Sequence, residues 1–197
     1  MNVTVMSATE RPIETISLAA GCCYGKADVS AKRVSSCYRA GHLSVFEHAS
    51  VTFRVEGISR ACMAQLTRHR LTSFCVESQR YNRYDLAGDD WYVTPPEISH
   101  AQNPDVPDAF RDVVTVAAIE YRNALENGIK PEDARYLLPE ATKTNLVMTC
   151  NVRELFHILD MREDKAAQWE IRDLAKAMRE ACEDINDEWR ELMGVRA

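Results

Sequence analysis

Residues 51–81 read Val51-Thr-Phe-Arg-Val55-Glu-Gly57-Ile-Ser59-Arg60-Ala-Cys62-Met63-Ala-Gln65-Leu66-Thr-Arg68-His69-Arg70-Leu-Thr-Ser-Phe74-Cys75-Val76-Glu77-Ser78-Gln79-Arg80-Tyr81. Apolar and polar residues alternate over Val51–Val55, the period of a half-buried strand. Gly57 is expected to break that strand. Ser59 is expected to cap a helix carrying Cys62, Met63 and Leu66 inward. Phe74–Tyr81 mixes apolar and polar residues and reads as extended.

Working outward, Val3–Met6 reads as a short strand, and Pro12–Cys23 and Val29–Ala40 as helices, the second stopping at Gly41. Asp85–Pro107 is rich in Pro, Gly and Asp and reads as a surface loop, with a short strand at Trp91–Val93. Pro107 is expected to open a helix with Val113, Val116, Ala117 and Ala124 on one side, closed by Asn127-Gly128. Pro131-Glu-Asp starts another helix with acids in its first turn. Thr142–Cys150 reads as a strand and Asn151 as the cap of the following helix. From Ala166 to Met193, Ile171, Leu174, Met178, Cys182, Ile185 and Trp189 make one amphipathic stripe at helical spacing. Strands separated by helices of varied length, without a glycine-rich phosphate loop, predict an α+β fold rather than a doubly wound dinucleotide fold.

Composition narrows the function. The 197 residues carry 24 Lys+Arg and 30 Asp+Glu, a formal net charge of −6, and 46 % hydrophobic residues, which predicts one globular domain over 1–197, or two very small ones. No apolar run reaches the ~18 residues of a membrane span, and Met1–Glu14 does not read as a signal peptide, so an intracellular protein is expected. The seven cysteines include no C-x-x-C pair and read as small buried hydrophobes rather than metal or disulfide chemistry. Charge is unevenly spread. Between Thr52 and Arg83, six arginines stand against Glu56 and Glu77, while from Asp160 onward eleven acids face seven bases. An acidic chain is a poor general nucleic-acid binder, but a compact arginine cluster suits a small phosphorylated ligand.

Several clusters could bind such a ligand. Arg68-His69-Arg70 stands at a helix end, where the arginines could also serve as cationic C-caps; Gln65 lies one turn earlier, and Ser78 and Arg80 follow. Gly41-His-Leu-Ser-Val-Phe-Glu-His48 holds two histidines around Glu47, but they share no helical face, so metal is not expected; Ser44 is expected to cap. Arg135 sits in a mostly apolar turn and needs a carboxylate or a phosphate. Arg153 and His157 lie one turn apart after Asn151. Arg162 precedes Glu163 and Asp164, which predicts a surface ion pair. No Ser-His-Asp order is defensible, and no cysteine has an evident base beside it. Such an inventory binds and polarises, leaving redox chemistry to a cofactor.

Arg68-His-Arg70, seven residues, Ser78, one residue, Arg80 resembles the R-H-R-x7-S-x-R signature of flavin-dependent thymidylate synthases. Gly41–Ala49 (G-H-x-S-x-x-E-H-A), Glu132–Pro139 (E-D-A-R-x-x-L-P), Thr149–Arg153 (T-x-N-x-R) and Ala167–Arg172 (A-Q-W-E-I-R) resemble further motifs of that family, in its order. Inside the signature, Cys75-Val76 stands where many members carry Asn-Glu. Val76 cannot make a carboxylate contact, and Glu77 would face the other way on a strand. Leu43 and His157 occupy positions that the family varies.

The resemblance implies a central, mostly antiparallel sheet flanked by helices, in a fold like that of the thymidylate synthase-complementing proteins. It implies a cytoplasmic homotetramer with active sites shared between subunits, FAD as cofactor, and no metal. The reaction implied is reductive methylation of dUMP to dTMP, with 5,10-methylenetetrahydrofolate as carbon donor and NADPH as reductant. Carried over by motif, His42, Ser44, Arg68, His69, Arg70, Asn151, Arg153 and His157 would contact FAD. Gln65, Arg68, Glu77, Ser78, Gln79, Arg80 and Arg135 would line the dUMP pocket. Arg162 would meet the uracil edge as the catalytic cation. The competing readings are a nucleotide- or RNA-binding homo-oligomer, and a flavoprotein of this fold acting on a related pyrimidine nucleotide.

Overall fold

A computed structural model describes residues 1–84 and 86–196. The chain runs β1 (Asn2–Ala8), α1 (Pro12–Cys22), α2 (Ala31–Arg39), a 3₁₀ turn (Leu43–His48), β2 (Ser50–Ser59), α3 (Arg60–Leu66) and β3 (Ser73–Val76). It continues through α4 (Pro96–Ser99), α5 (Asp105–Glu126), α6 (Pro131–Ala134), a 3₁₀ turn (Arg135–Leu137), β4 (Lys143–Asn151), α7 (Val152–Arg162), α8 (Trp169–Glu183) and α9 (Asp187–Gly194). The four strands form one sheet in the order β1-β2-β4-β3. β1 is antiparallel to β2, with Val3 opposite Val55 and Val5 opposite Phe53. β2 and β4 also run in opposite senses: Thr52 Oγ1 meets Thr149 Oγ1 at 2.9 Å, and further along β2 the Gly57 N–H donates to Asn145 Oδ1 at 3.0 Å. This is an α+β architecture.

By contact density the chain divides into two compact units, one of residues 1–56, 65–75 and 146–197, the other of 57–64 and 76–145. In the first, Phe53 and Val55 are buried from β2, Leu155, Ile158 and Leu159 from α7, and Leu174 and Met178 from α8. Tyr38, Phe46 and Phe156 pack edge-on or tilted, with centroids 5.4–5.9 Å apart. Such pairing adds about 0.5–1.5 kcal/mol per pair beyond area burial. The second unit is built on Leu86, Trp91, Tyr92, Val114, Ala118 and Tyr121.

Several expectations need correcting. Gly57 does not end its strand. It adopts φ +73°, a conformation open to a residue without Cβ, and β2 continues to Ser59. Ser59 Oγ then accepts from the Cys62 N–H at 3.0 Å, the capping bond expected of it, while Met63 is only half-buried. β3 stops at Val76, so Glu77 and Ser78 lie beyond the strand and do not alternate between its faces. Ser78 instead opens a turn closed by the Asn82 N–H on its carbonyl at 3.1 Å. The long C-terminal helix is two helices. Asn186, in extended backbone, accepts from the Trp189 N–H and starts α9, which keeps Trp189 buried in register with the stripe. On α5 the inward residues are Val114, Ala118 and Tyr121; Val113 and Val116 are 66 % and 57 % exposed. Tyr121, fully buried, sets that orientation, and a count of aliphatics favours the wrong side.

The stretch read as loop carries buried Leu86, Trp91 and Tyr92, and Tyr92 bridges Thr142. Asp85, its first residue, lies outside the described residues. Cys22, Cys23 and Cys75 are exposed rather than buried. No described helix is long and apolar enough to cross a membrane.

Candidate active site

The first unit holds a cavity of about 910 Å³, near the upper end of the range usual for small-molecule sites. Its wall includes Arg39, Gly41, Arg153, Glu154, His157 and Arg196. Three local decisions shape it. Gly41, at φ +74°, turns the chain after α2. Asn151 Oδ1 accepts from the Glu154 N–H at 2.9 Å and starts α7. From there Arg153 and His157 fall on the same exposed side, one turn apart, as their spacing predicts. His42 and Ser44 are exposed beside Gly41 and Leu43 of the wall. Ser44 is no cap: the 3₁₀ turn starts after His42 without a side-chain capping bond. Glu47, considered with His42 and His48 as a metal set, instead takes the Arg153 Nη1 at 2.5 Å. Among the described residues no group of three or more His, Cys, Asp or Glu could hold a metal ion.

From the cavity wall inward runs a largely buried polar cluster. His69 and Glu154 side chains are 3 % and 7 % exposed, with Nδ1 and Oε1 3.6 Å apart. Arg162, the last residue of α7, donates from Nε to His69 Nε2 at 3.0 Å and from Nη2 to the Gln65 carbonyl at 3.2 Å. The His157 ring stands edge-on to His69 at 5.6 Å. Burial, and then the positive charge of Arg162 and His157, hold the His69 pKa down at about 4. Burial raises that of Glu154 against the pull of His157 and Arg153.

The expected surface pair between Arg162 and its neighbouring acids does not form. Glu163 is taken by Arg179 Nε at 2.8 Å and Arg196 Nη2 at 3.3 Å, and Asp164 caps the chain at Ala166. Among the described residues Arg162 has no carboxylate partner, so its charge remains available. Arg68 and Arg70 are exposed past the end of α3 and make no side-chain hydrogen bond or ion pair among the described residues.

The second unit has its own cavity, about 290 Å³, with Arg60, Gln79, Arg135, Tyr136 and Glu140 in its wall. Arg135 is held by its Nε on the Glu132 carbonyl at 3.0 Å and lies over the Tyr136 ring at 5.9 Å, with no carboxylate among the described residues. Gln79 is buried. Arg80 makes a long, exposed contact with Glu132 at 3.4 Å. Ser78 Oγ accepts from the Arg80 N–H at 3.2 Å, which fixes the turn. The Glu77 carboxylate accepts from Asn145 Nδ2 at 2.9 Å and so has an internal partner.

Sequence reasoning missed Arg60, Arg39 and Arg196. Arg60 Nη1 is buried without a hydrogen-bond partner among the described residues, an unusual state for a guanidinium N–H; its signal was a charge directly after a cap residue. Arg39 was legible as a cation beside a C-terminal glycine. Arg196, which holds Asp160 at 2.7 Å, had no signal beyond its charge.

The family model described as thymidylate synthase complementing protein matches residues 4–186. The chain is 41 % identical over 165 residues to the flavin-dependent thymidylate synthase of Haloarcula marismortui, covering 73 % of this chain and 67 % of that one. It is 36 % identical over 200 residues to that of Pyrococcus furiosus, covering 95 % and 81 %. It thus spans about two thirds of the haloarchaeal relative's own length. The thymidylate synthase X of Helicobacter pylori, solved with FAD and dUMP, matches with a TM-score of 0.78 at 27 % identity, covering 100 % of this chain and 98 % of that one. With the motifs, the sheet and the family match in agreement, this chain belongs to the flavin-dependent thymidylate synthases, the thymidylate synthase complementing protein family.

Proposed function

We propose that this chain, acting as one catalytic domain over 1–197, methylates dUMP reductively to dTMP. The carbon comes from 5,10-methylenetetrahydrofolate, which leaves as tetrahydrofolate; FAD is the redox cofactor and NADPH the reductant. The observation that carries the reading is Arg162. It is a guanidinium with no carboxylate partner among the described residues, fixed by His69 and the Gln65 carbonyl.

FAD suits the chemistry of the large cavity. Arg39 and Arg153 offer cations to a pyrophosphate, and Tyr38 and Phe156 offer aromatic surface. His42, Ser44, Arg68, Arg70, Asn151, Arg153 and His157 are assigned to holding it, with His69 behind them. When bound, the flavin supplies the hydride that completes the methyl group. The remaining work is the protein's. Arg162 places permanent charge at the N3/O2 edge of uracil, where it stabilises negative charge building on the ring and lowers the barrier to reaction at carbon 5. Gln65 and Arg68 line the base. Gln79, Arg80 and Arg135 take the phosphate, with Ser78 fixing their turn and Glu77 beside it. In a homotetramer whose sites are shared between subunits, these two sets need not come from one copy. The exposed Val113, Val116 and Ile119 of α5 supply apolar surface for such an assembly. A cysteine nucleophile is not needed, and burial pushes the Cys150 thiol up to about 12, the wrong direction for one. The cytoplasm is the assigned compartment.

Release of hydrogen from carbon 5 of labelled dUMP tests the reading. Release should require FAD, 5,10-methylenetetrahydrofolate and NADPH together, and the protein should retain FAD on purification. Flavin-loaded protein that releases nothing with all three present would refute it.

A further inference from the structure

Arginine keeps its proton under all ordinary conditions, so its Nε can only donate. The 3.0 Å contact from Arg162 Nε therefore requires a bare lone pair on His69 Nε2. A neutral imidazole carries one proton, which must then sit on Nδ1, the nitrogen that faces Glu154 Oε1 at 3.6 Å. The other tautomer, and equally the imidazolium, would point an N–H at the N–H of Arg162. Because the His69 ring is buried and stands back from the cavity wall, water cannot replace its partners at little cost. Glu154 belongs to none of the motifs that mark the family in this chain, and nothing in its position as a first-turn acid of α7 demands burial.

We propose that Glu154 and His69 are positioning residues: Glu154 holds His69 as the Nδ1–H tautomer, whose Nε2 accepts from Arg162 and aims the guanidinium. The Gln65 carbonyl on Nη2 supplies the second point of attachment, so the direction as well as the position of the cation is set, and Nη1 is left for a ligand. Outer partners that orient a functional side chain in this way typically carry a ten- to hundredfold effect on activity. The inference rests on the proposed role of Arg162 only for its kinetic consequence; the tautomer follows from the contacts themselves.

Two measurements separate those parts. The chain has five histidines, so nitrogen-15 NMR of the histidine-labelled holoenzyme, assigned with His69→Asn, can read the protonation of each ring nitrogen. A proton on Nδ1 with bare Nε2 at His69 is expected. A proton on Nε2 overturns the inference, whether or not the protein is a thymidylate synthase. In Glu154→Ala the Nδ1 preference should be lost, and kcat should fall by roughly ten- to a hundredfold with a smaller change in the KM for dUMP. Glu154→Gln, whose amide oxygen can present a neutral acceptor to Nδ1–H from the same place, should recover most of that loss. An unchanged kcat in Glu154→Ala would refute the positioning role, and a Glu154→Ala protein that fails to fold leaves the wild-type spectrum to decide.

Discussion

Arg162→Ala separates catalysis from support. The substitution removes two hydrogen bonds, to His69 Nε2 at 3.0 Å and to the Gln65 carbonyl at 3.2 Å, together with a charge that has no carboxylate partner among the described residues. The structural cost is that of a buried imidazole nitrogen left without its donor, about 1–3 kcal/mol. The catalytic cost is separate. Loss of a preorganised donor aimed at developing negative charge typically lowers turnover by about two to three orders of magnitude, or about 2.7–4 kcal/mol. The assay is hydrogen release from carbon 5 of labelled dUMP at saturating dUMP, with flavin content taken from absorbance so that cofactor loss is not mistaken for lost chemistry. Arg162→Lys, a point charge too short to span both acceptors, should fall between wild type and Ala. Turnover unchanged in flavin-loaded Arg162→Ala would remove Arg162 from the chemistry.

Arg135→Ala should weaken dUMP binding by roughly ten- to a hundredfold, as for loss of a hydrogen bond to a charged group, and Arg80→Ala by less, since Arg80 is already engaged with Glu132; equal affinity in both variants by equilibrium titration would show the phosphate to be elsewhere. His69 titrates at about 4 when folded and near 6.5 when unfolded, so the unfolded chain binds the extra proton between those values. Its contribution is therefore complete above about pH 6.5 and shrinks as pH falls towards 4, by of order 3 kcal/mol at most. Glu154, raised by burial, works with the opposite sign over part of that range, while Arg162 and His157 face the same ring and Arg68 and Arg70 flank it. Chemical denaturation of wild type against His69→Asn across this window isolates the slope, and parallel curves would contradict it. Gly57→Ala should destabilise by about 1–2 kcal/mol, because φ +73° is costly for a residue with a Cβ; a denaturation midpoint equal to wild type would show that β2 relaxes there without cost.

Local order was well marked in the sequence. Alternation over Val51–Val55, the Ser59 and Asn151 caps and the stops at Gly41 and Gly128 each depend on neighbours within a few residues, and each is found where the pattern places it. What escaped depends on partners far along the chain. The inward face of α5 is chosen by Tyr121 packing with Leu86, Trp91 and Tyr92, so its own aliphatic spacing misleads. The break before α9 comes from one asparagine that caps the next turn without disturbing the apolar stripe, which is why periodicity runs straight through it. At the site, the motif arginines and histidines were nameable from their order, but Glu154 and His69 lie in segments with no local pattern linking them. The fate of Arg162 was read from its adjacent acids, whereas Arg179 and Arg196 claim Glu163.

That pre-emption of Glu163 gives α8 a duty remote from any ligand. Arg179 spans Glu163 and Glu183, each at 2.8 Å, and so keeps Arg162 apart from the acid next to it in the chain. Half-buried Arg179 thereby becomes a tuning element: neutralising it would leave Glu163 to Arg196 alone, one residue from Arg162, and on the role proposed for Arg162 a change far from the pocket should register as slower turnover.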